Sequence, residues 1–249
     1  MKVSLFLVGL LLSIVFLPAC SEDEGFSPNQ IKKLKRLEYV GGTAYDYTYE
    51  DNLLKSIDSE RIGIRGQQLF FYDTERRIIR YENILFGDTT VYHFSYPEGN
   101  QVVTISPSRE EAGFYYKTIQ KIENSRISKV ESYHCDNADK CERFSTDDLE
   151  YDESGNLVRE VSQNFDFEPS VTTYQYDNQF SMNLFLYSSI QPQMLWAHFS
   201  PNNITAIDNG VTRRSFDYVY DSDGYPIESS VISSNGVTYP HQIIEYLEE

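Results

Sequence analysis

Polar and apolar residues alternate along much of this chain, and the alternating stretches recur. The stretch Tyr45-Asp46-Tyr47-Thr48-Tyr49 places three tyrosines on one face of a strand, because successive strand side chains point to opposite faces. Glu50-Asp51-Asn52 then favours a tight turn, and Leu53 to Ile57 predicts a returning strand. The pattern therefore predicts a β-hairpin.

The same order of aromatic strand end, polar turn and returning strand is found along the rest of the chain. It recurs at Phe70–Ile79, Tyr92–Ile105, Leu149–Val158 and Phe216–Ile227, and Tyr174–Asp177 opens a further copy. Such repetition is typical of arrays whose units bury their faces against one another. We therefore predict an all-β fold, either a strongly curved antiparallel sheet or a partly closed barrel of repeated hairpins.

One stretch lacks this alternation. Asn183 to Ile190, followed by Met194-Leu195-Trp196, is apolar without a period of two, and Pro192 limits any helix there. The region near 183–196 is predicted to be a short helix or a buried loop that plugs or caps the sheet.

The first twenty residues are organised differently. Lys2 precedes an almost wholly apolar run from Val3 to Phe16, and Leu17-Pro18-Ala19-Cys20 follows. This order is typical of a secretory signal peptide, here residues 1–19, and the run is short for a membrane span. Leu17 to Cys20 resembles a bacterial lipobox, which implies that Cys20 is lipidated and begins an exported, membrane-anchored protein.

The residues after Cys20 refine this prediction. Ser21-Glu22-Asp23-Glu24-Gly25 resembles the export signal of surface lipoproteins in Bacteroides-group bacteria, which implies an outer-membrane protein that faces the exterior. The same residues also suit a solvated tether over 20–30. Residues 31–249 are then long enough for a single all-β domain.

Composition narrows the choice of partners. The formal charge is −17, and removal of residues 1–19 takes away only Lys2, so the mature chain carries −18. Binding to nucleic acid through net charge is therefore not expected. The chain has 20 Tyr and 15 Phe against a single Trp, which suits partly wet sheet faces.

The Tyr-Asp-turn-Gly phrase resembles the YD repeats of Rhs-type secreted proteins. Further landmarks are Tyr176-Asp177, Phe199-Ser200-Pro201-Asn202-Asn203, Tyr218–Pro226 and Ile244-Glu245-Tyr246. In this order they resemble a family of Bacteroides-group lipoproteins of unknown function that are described as having a porin-like fold. The resemblance implies that fold, and it supplies no catalytic or binding residue.

The remaining cysteines indicate a disulfide. Cys135 and Cys141 enclose five residues, and in an exported protein such a pair is normally oxidised. Closing so short a loop contributes about 2.4 kcal/mol by loop-entropy arithmetic. The alternative is a metal site that adds His134 with Asp136 or Asp139, although this spacing matches no established zinc pattern.

Catalytic motifs are missing from the sequence, which contains no HExxH, no GxSxG and no Gly-rich phosphate loop. Acidic pairs such as Asp147-Asp148, or Asp166 with Glu168, are the only hint of a glycoside hydrolase. Trp196, Phe199 and Tyr187 form a candidate platform for sugar rings, with a core role as the alternative. We therefore predict a non-catalytic module without a cofactor that binds a glycan or an envelope protein, or that acts as a scaffold for an envelope complex. A concealed hydrolase and a purely structural envelope protein are the alternatives.

Overall fold

The structure, a computed structural model, describes residues 31–97, 100–108, 113–186, 200–233 and 235–248. Within these residues, the stretches of alternating polar and apolar sequence form β-strands. The strands are β1 (Leu34–Tyr39), β2 (Thr43–Glu50), β3 (Leu53–Arg61), β4 (Ile64–Tyr72), β5 (Ile78–Leu85), β6 (Asp88–Ser95), β7 (Gln101–Pro107), β8 (Phe114–Glu123), β9 (Arg126–Asp136), β10 (Cys141–Tyr151), β11 (Leu157–Asn164), β12 (Ser170–Phe180), β13 (Asn202–Asp208), β14 (Arg213–Tyr220), β15 (Pro226–Ile232) and β16 (Thr238–Tyr246). The predicted all-β class is confirmed.

The sheet closes completely. Each strand pairs antiparallel with the strands before and after it in sequence, and β1 pairs with β16, where Leu37 lies opposite Ile244. The result is a closed barrel of sixteen strands, so closure goes further than the curved sheet or partly closed barrel suggested by the repeats. Full closure leaves no free strand edge for unwanted pairing.

Strand β2 shows how the sequence selects its two faces. Tyr45, Tyr47 and Tyr49 are partly buried, whereas Asp46 and Thr48 between them are exposed. Burial raises the pKa of the Tyr47 hydroxyl, as expected for a phenol removed from water. The aromatic face therefore lines the barrel interior and the charged face lies outside.

The two ends of the barrel differ. Among the described residues, the floor end is formed by the turns 51–52, 73–77, 124–125, 152–156 and 221–225, together with residues 96–97 and 100. The opposite end, here called the rim, carries the turns 40–42, 62–63, 86–87, 137–140, 165–169 and 209–212, together with residues 233 and 235–237. Large side chains with under 2% exposure concentrate toward the floor end: Leu34, Leu54, Phe70, Ile78, Tyr81, Val102 and Leu157.

The aspartate of the repeated phrase shapes the floor turns. Asp73 Oδ1 accepts hydrogen bonds from the backbone N–H groups of Glu75 and Arg77, both at 2.9 Å. Asp221 Oδ1 accepts equivalent bonds from the N–H groups of Asp223 and Tyr225. A short acceptor side chain is needed at this position, because the turn would otherwise leave these donors unpaired.

The tyrosine of the same phrase fastens the strands together at the floor end. Within the described ranges, five tyrosine hydroxyls donate to a backbone carbonyl near the start of the preceding strand: Tyr72 to Leu54 at 2.8 Å, Tyr96 to Ile78 at 2.7 Å, Tyr176 to Leu157 at 2.6 Å, Tyr218 to Ile204 at 2.8 Å and Tyr246 to Pro226 at 2.9 Å. We call these bonds the tyrosine clamps. Each ring contributes apolar area to the core, and its hydroxyl satisfies an inner-wall carbonyl.

The plug predicted near 183–196 is described only in its first part. Residues 184–186 form a single helical turn in which Leu184, Phe185 and Leu186 are all buried. Phe185 meets Tyr49 edge to face, with 5.3 Å between ring centroids, so this turn packs at the floor end. Among the described residues, no helix has the length and apolar character needed to cross a membrane.

Candidate ligand-binding lumen

The barrel interior is the candidate site, and the strand register identifies the side chains that face it. Gln120 on β8 is fully buried and lies opposite Val102 on β7 and Val130 on β9. Because residues paired across strands share a face, Asp147, which pairs with Val130, also faces inward. This row extends the inner face across four neighbouring strands.

Inward positions between floor and rim carry mostly neutral hydroxyl and amide groups. Gln68, Asn83 and Thr90 lie side by side on β4, β5 and β6, and Thr104, Thr118 and Ser132 lie side by side on β7, β8 and β9. Gln68, Asn83, Thr118 and Ser132 are partly exposed, unlike the buried floor side chains. The rim half of the lumen is therefore polar and accessible to water.

Two side chains near the base of this lumen have unmet hydrogen-bonding capacity. Both amide atoms of Gln120 and the hydroxyl of Thr104 are buried and have no hydrogen-bond partner among the described residues. Leaving such a group unpaired costs about 1–3 kcal/mol, so buried groups of this kind normally hold water or a ligand. The sequence did not single out these two residues. Gln120 nevertheless lies on the same face of β8 as Tyr116, and Thr104 pairs with Thr118 on that face.

Aromatic rings line one side of the lumen toward the rim. His134 on β9 stacks on Tyr116 of β8, with ring centroids 5.3 Å apart and planes 26° apart, and lies 4.9 Å from Phe114. His134 Nε2 is also buried without a hydrogen-bond partner in the part of the chain that is described. This arrangement offers flat apolar surface beside unpaired polar atoms.

The lumen also contains carboxylates. Glu160 accepts hydrogen bonds from the Tyr174 hydroxyl at 2.7 Å and from Ser162 Oγ at 3.3 Å. Burial, followed by this contact with Glu160, raises the pKa of the Tyr174 hydroxyl, so the phenol donates and stays neutral. Glu160 is thereby held as a hydrogen-bond acceptor in the wall.

The acidic pairs considered for glycoside hydrolysis are not assembled as a pair of catalytic groups. Asp147 faces the lumen, whereas Asp148 faces outward, with Lys129 Nζ 3.3 Å from its carboxylate. Asp166 and Glu168 lie exposed in a rim turn. Neighbouring acids on one strand point to opposite faces, so Asp147 and Asp148 cannot flank one glycosidic bond together.

The structure joins Cys135 and Cys141 by a disulfide bond between directly opposed positions of β9 and β10. The competing metal reading is not supported, because the described residues contain no group of three or more His, Cys, Asp or Glu that could hold a metal ion. Asp139 is engaged otherwise, since its Oδ1 accepts a 2.6 Å hydrogen bond from the Tyr115 hydroxyl.

The proposed aromatic platform cannot be placed. Trp196, Phe199 and Tyr187 all lie outside the described residues. Other aromatic residues of the same stretch of sequence are far apart in the fold, because Phe165 is exposed at the rim and Phe185 is buried at the floor end. Closeness in sequence therefore does not by itself place Phe165 and Phe185 on a shared surface.

Comparison with known proteins identifies the fold. No protein-family model matches the chain, and no curated protein matches it. A porin-like protein from Bacteroides vulgatus is similar in structure, with a TM-score of 0.52 and 9% identity over 87% of this chain and 100% of that chain. A porin-like protein from Bacteroides uniformis gives a TM-score of 0.41 and 12% identity over 87% and 98%. The chain thus shares its barrel fold with a porin-like protein.

Proposed function

We propose that this protein is an outer-membrane lipoprotein, anchored through Cys20 and facing the exterior, whose barrel stands in water and binds a neutral glycan in its lumen without catalysis. The signal and lipobox order of residues 1–20 supports the anchor, and Glu22-Asp23-Glu24 supports export to the outer face. The likeness to a porin-like barrel agrees with an envelope location and a non-catalytic role.

The observation that carries the proposal is the charged outer wall. Arg36 Nη1 on β1 lies 2.7 Å from Asp46 Oδ1 on β2, and Arg143 Nη1 on β10 lies 2.9 Å from Glu131 Oε1 on β9. A barrel embedded in lipid needs an apolar outward row, and an Arg or Lys at the bilayer centre costs about 2–4 kcal/mol. Cross-strand ion pairs along the wall therefore favour a barrel surrounded by water.

The chemistry of the lumen suits an uncharged ligand with many hydroxyl groups. Gln68, Asn83 and Thr118 can each donate and accept hydrogen bonds, and the rings of Tyr116 and His134 offer flat apolar faces. Sugar rings present both features, whereas an anionic ligand would be repelled by the inward carboxylates Asp147 and Glu160.

Glycan binding is tested with a glycan array and calorimetry on residues 21–249. Gln120→Leu and Thr118→Val should each weaken binding about tenfold or more, because every lost bidentate or buried hydrogen bond is worth about 1–3 kcal/mol. Thr89→Val is the matched control, since Thr89 is exposed and pairs with outward-facing Ile84. Binding unaffected by the two lumen variants would refute the lumen as the site, and bond cleavage would favour the hydrolase.

Anchoring is tested separately. Cys20→Ala should abolish lipidation, so that carbonate extraction, which removes proteins held only by peripheral contacts, releases the protein from the membrane fraction. Persistence of that variant in membranes after carbonate extraction would overturn the anchor. Replacing Glu22, Asp23 and Glu24 by Ala should preserve lipidation but reduce cleavage by protease added to whole cells.

A further inference from the structure

Apolar side chains stand exposed at the hairpin tips of the rim. Five consecutive hairpins around the barrel, from β13–β14 through β1–β2 to β5–β6, each expose an aliphatic or phenylalanine side chain at the tip, with relative exposures between 45% and 90%: Val211, Val237, Val40, Ile62 and Phe86. We call this set the apolar arc. None of these side chains is buried inside the barrel, so packing of the core does not explain why they are apolar. Elsewhere on the rim, the β11–β12 turn exposes Phe165 and Phe167, but these lie beside Asp166 and Glu168.

Two of these tips are also unfavourable for the backbone. Ile62 (φ 50°) and Phe86 (φ 56°) occupy the left-handed region, each followed by glycine, where a two-residue hairpin turn prefers Asn or Asp. The floor turns Asp51-Asn52 and Asn124-Ser125 have the same positive φ signs and the expected polar residues. A β-branched side chain at such a position is strained, so stability does not explain Ile62.

Charge is unevenly distributed around the rim. Within two residues, the tips of the apolar arc are flanked by four arginines and four acids, namely Arg61, Arg65, Arg213, Arg214, Glu38, Glu60, Asp88 and Asp208. The remaining described tips, at 136–142 and 164–170, carry five acids against Lys140. In a chain of net charge −17, the apolar arc is therefore the part of the rim where phosphate groups are least repelled.

We propose that the apolar arc docks on a lipid bilayer, with its hairpin tips inserted at the headgroup boundary and its arginines beside lipid phosphates. Neighbouring hairpins are about 10 Å apart, since each contributes two strands spaced about 4.8 Å apart. Isolated protruding side chains at that spacing would each need a matching pocket on a rigid protein, whereas a fluid interface accepts them all. The acidic side of the rim would stay in water, which leaves the lumen open there.

The test uses vesicle flotation with residues 21–249, which lack the lipid anchor. Every strand lies within Lys32–Glu249, so this chain keeps the whole hydrogen-bonded wall. Wild type should float with phosphatidylcholine vesicles, and the double variant Ile62→Asn with Phe86→Asn should lose about tenfold or more in partition coefficient. Phe167→Asn is the matched control, because Phe167 is 71% exposed on the acidic side of the rim, and it should change partition little.

A loss of vesicle binding in the double variant would not be caused by misfolding. Asn followed by Gly is favoured in these turns, so the double variant should melt at a temperature no lower than that of wild type. Failure of wild type to float, or equal flotation of the double variant, would overturn the proposal. A wild-type dimer that dissociates in the double variant without vesicle binding would assign the arc to a second copy of this chain and would also overturn it.

Discussion

Removing the hydroxyl of one tyrosine clamp tests whether the repeated Tyr-Asp phrase holds the floor end together. In Tyr72→Phe the ring keeps its place, but the Leu54 carbonyl loses the 2.8 Å hydrogen bond that it accepts. An ordinary hydrogen bond contributes about 0.5–1.5 kcal/mol, and a buried acceptor left unpaired costs up to about 3 kcal/mol. We expect a loss of about 1–2 kcal/mol in the free energy of unfolding.

The other clamps allow the same reasoning to be repeated. Tyr176→Phe removes the 2.6 Å bond to Leu157 in a distant part of the barrel wall, so its loss should add to that of Tyr72→Phe within about 0.5 kcal/mol. Together they would remove a sizeable part of the 5–15 kcal/mol typical of a folded domain. Tyr239→Phe, at an exposed rim position, is the control and should stay within about 0.5 kcal/mol of wild type.

Urea unfolding of residues 21–249 measures these differences. The midpoint should fall in the clamp variants while the denaturant slope stays constant, because the surface exposed on unfolding is unchanged. Equal midpoints for Tyr72→Phe, Tyr239→Phe and wild type would refute the clamp argument, since the hydroxyl would then contribute nothing beyond the ring. A changed slope would point to an altered folded or unfolded state.

Three further results are expected. Replacing Cys135 and Cys141 by Ser should cost about 2.4 kcal/mol and speed hydrogen exchange in the β9–β10 hairpin, and free thiols in the oxidised wild-type protein would contradict the bridge. Burial raises the pKa of Tyr176 to about 12, against 10.0 for a free tyrosine. As the pH rises above 10, Tyr176 loses its proton in the unfolded chain before it does so in the folded protein, so the free energy of unfolding should fall. A falling melting temperature measures this loss, and tyrosinate absorbance reports the titration. The apolar sequence around Trp196 predicts a packed side chain, so its fluorescence should be protected from iodide, and ready quenching would instead favour the sugar platform.

Local sequence predicted the hairpins well, because strand alternation and turn chemistry are both local. Tyr45, Tyr47 and Tyr49 do share the inner face, and the turns fall where Asp, Asn and Gly occur. Full closure was not predictable in the same way. It depends on β1 meeting β16, a pairing of residues about 200 positions apart that no short pattern records.

The candidate site was harder to predict than the fold. Gln120 and Thr104 look like ordinary strand residues, and their burial becomes visible only when the register places both on the inner face. Aromatic residues that are close in sequence need not share a surface, because Phe165 and Phe185 belong to opposite ends of the barrel. A site assembled from many strands leaves little trace in any one of them.

The surroundings of this barrel follow from which face carries the charges, and not from the fold alone. Hairpins with the same alternation could build a membrane barrel if the aromatic face pointed out and the polar face in. Here Tyr47 faces the interior, while Asp46 faces outward within reach of Arg36. A register slip of one residue would exchange the two faces, so pairing must be specified strongly. Likeness to a porin-like protein therefore agrees equally with either location, and the outward ion pairs are what favour water.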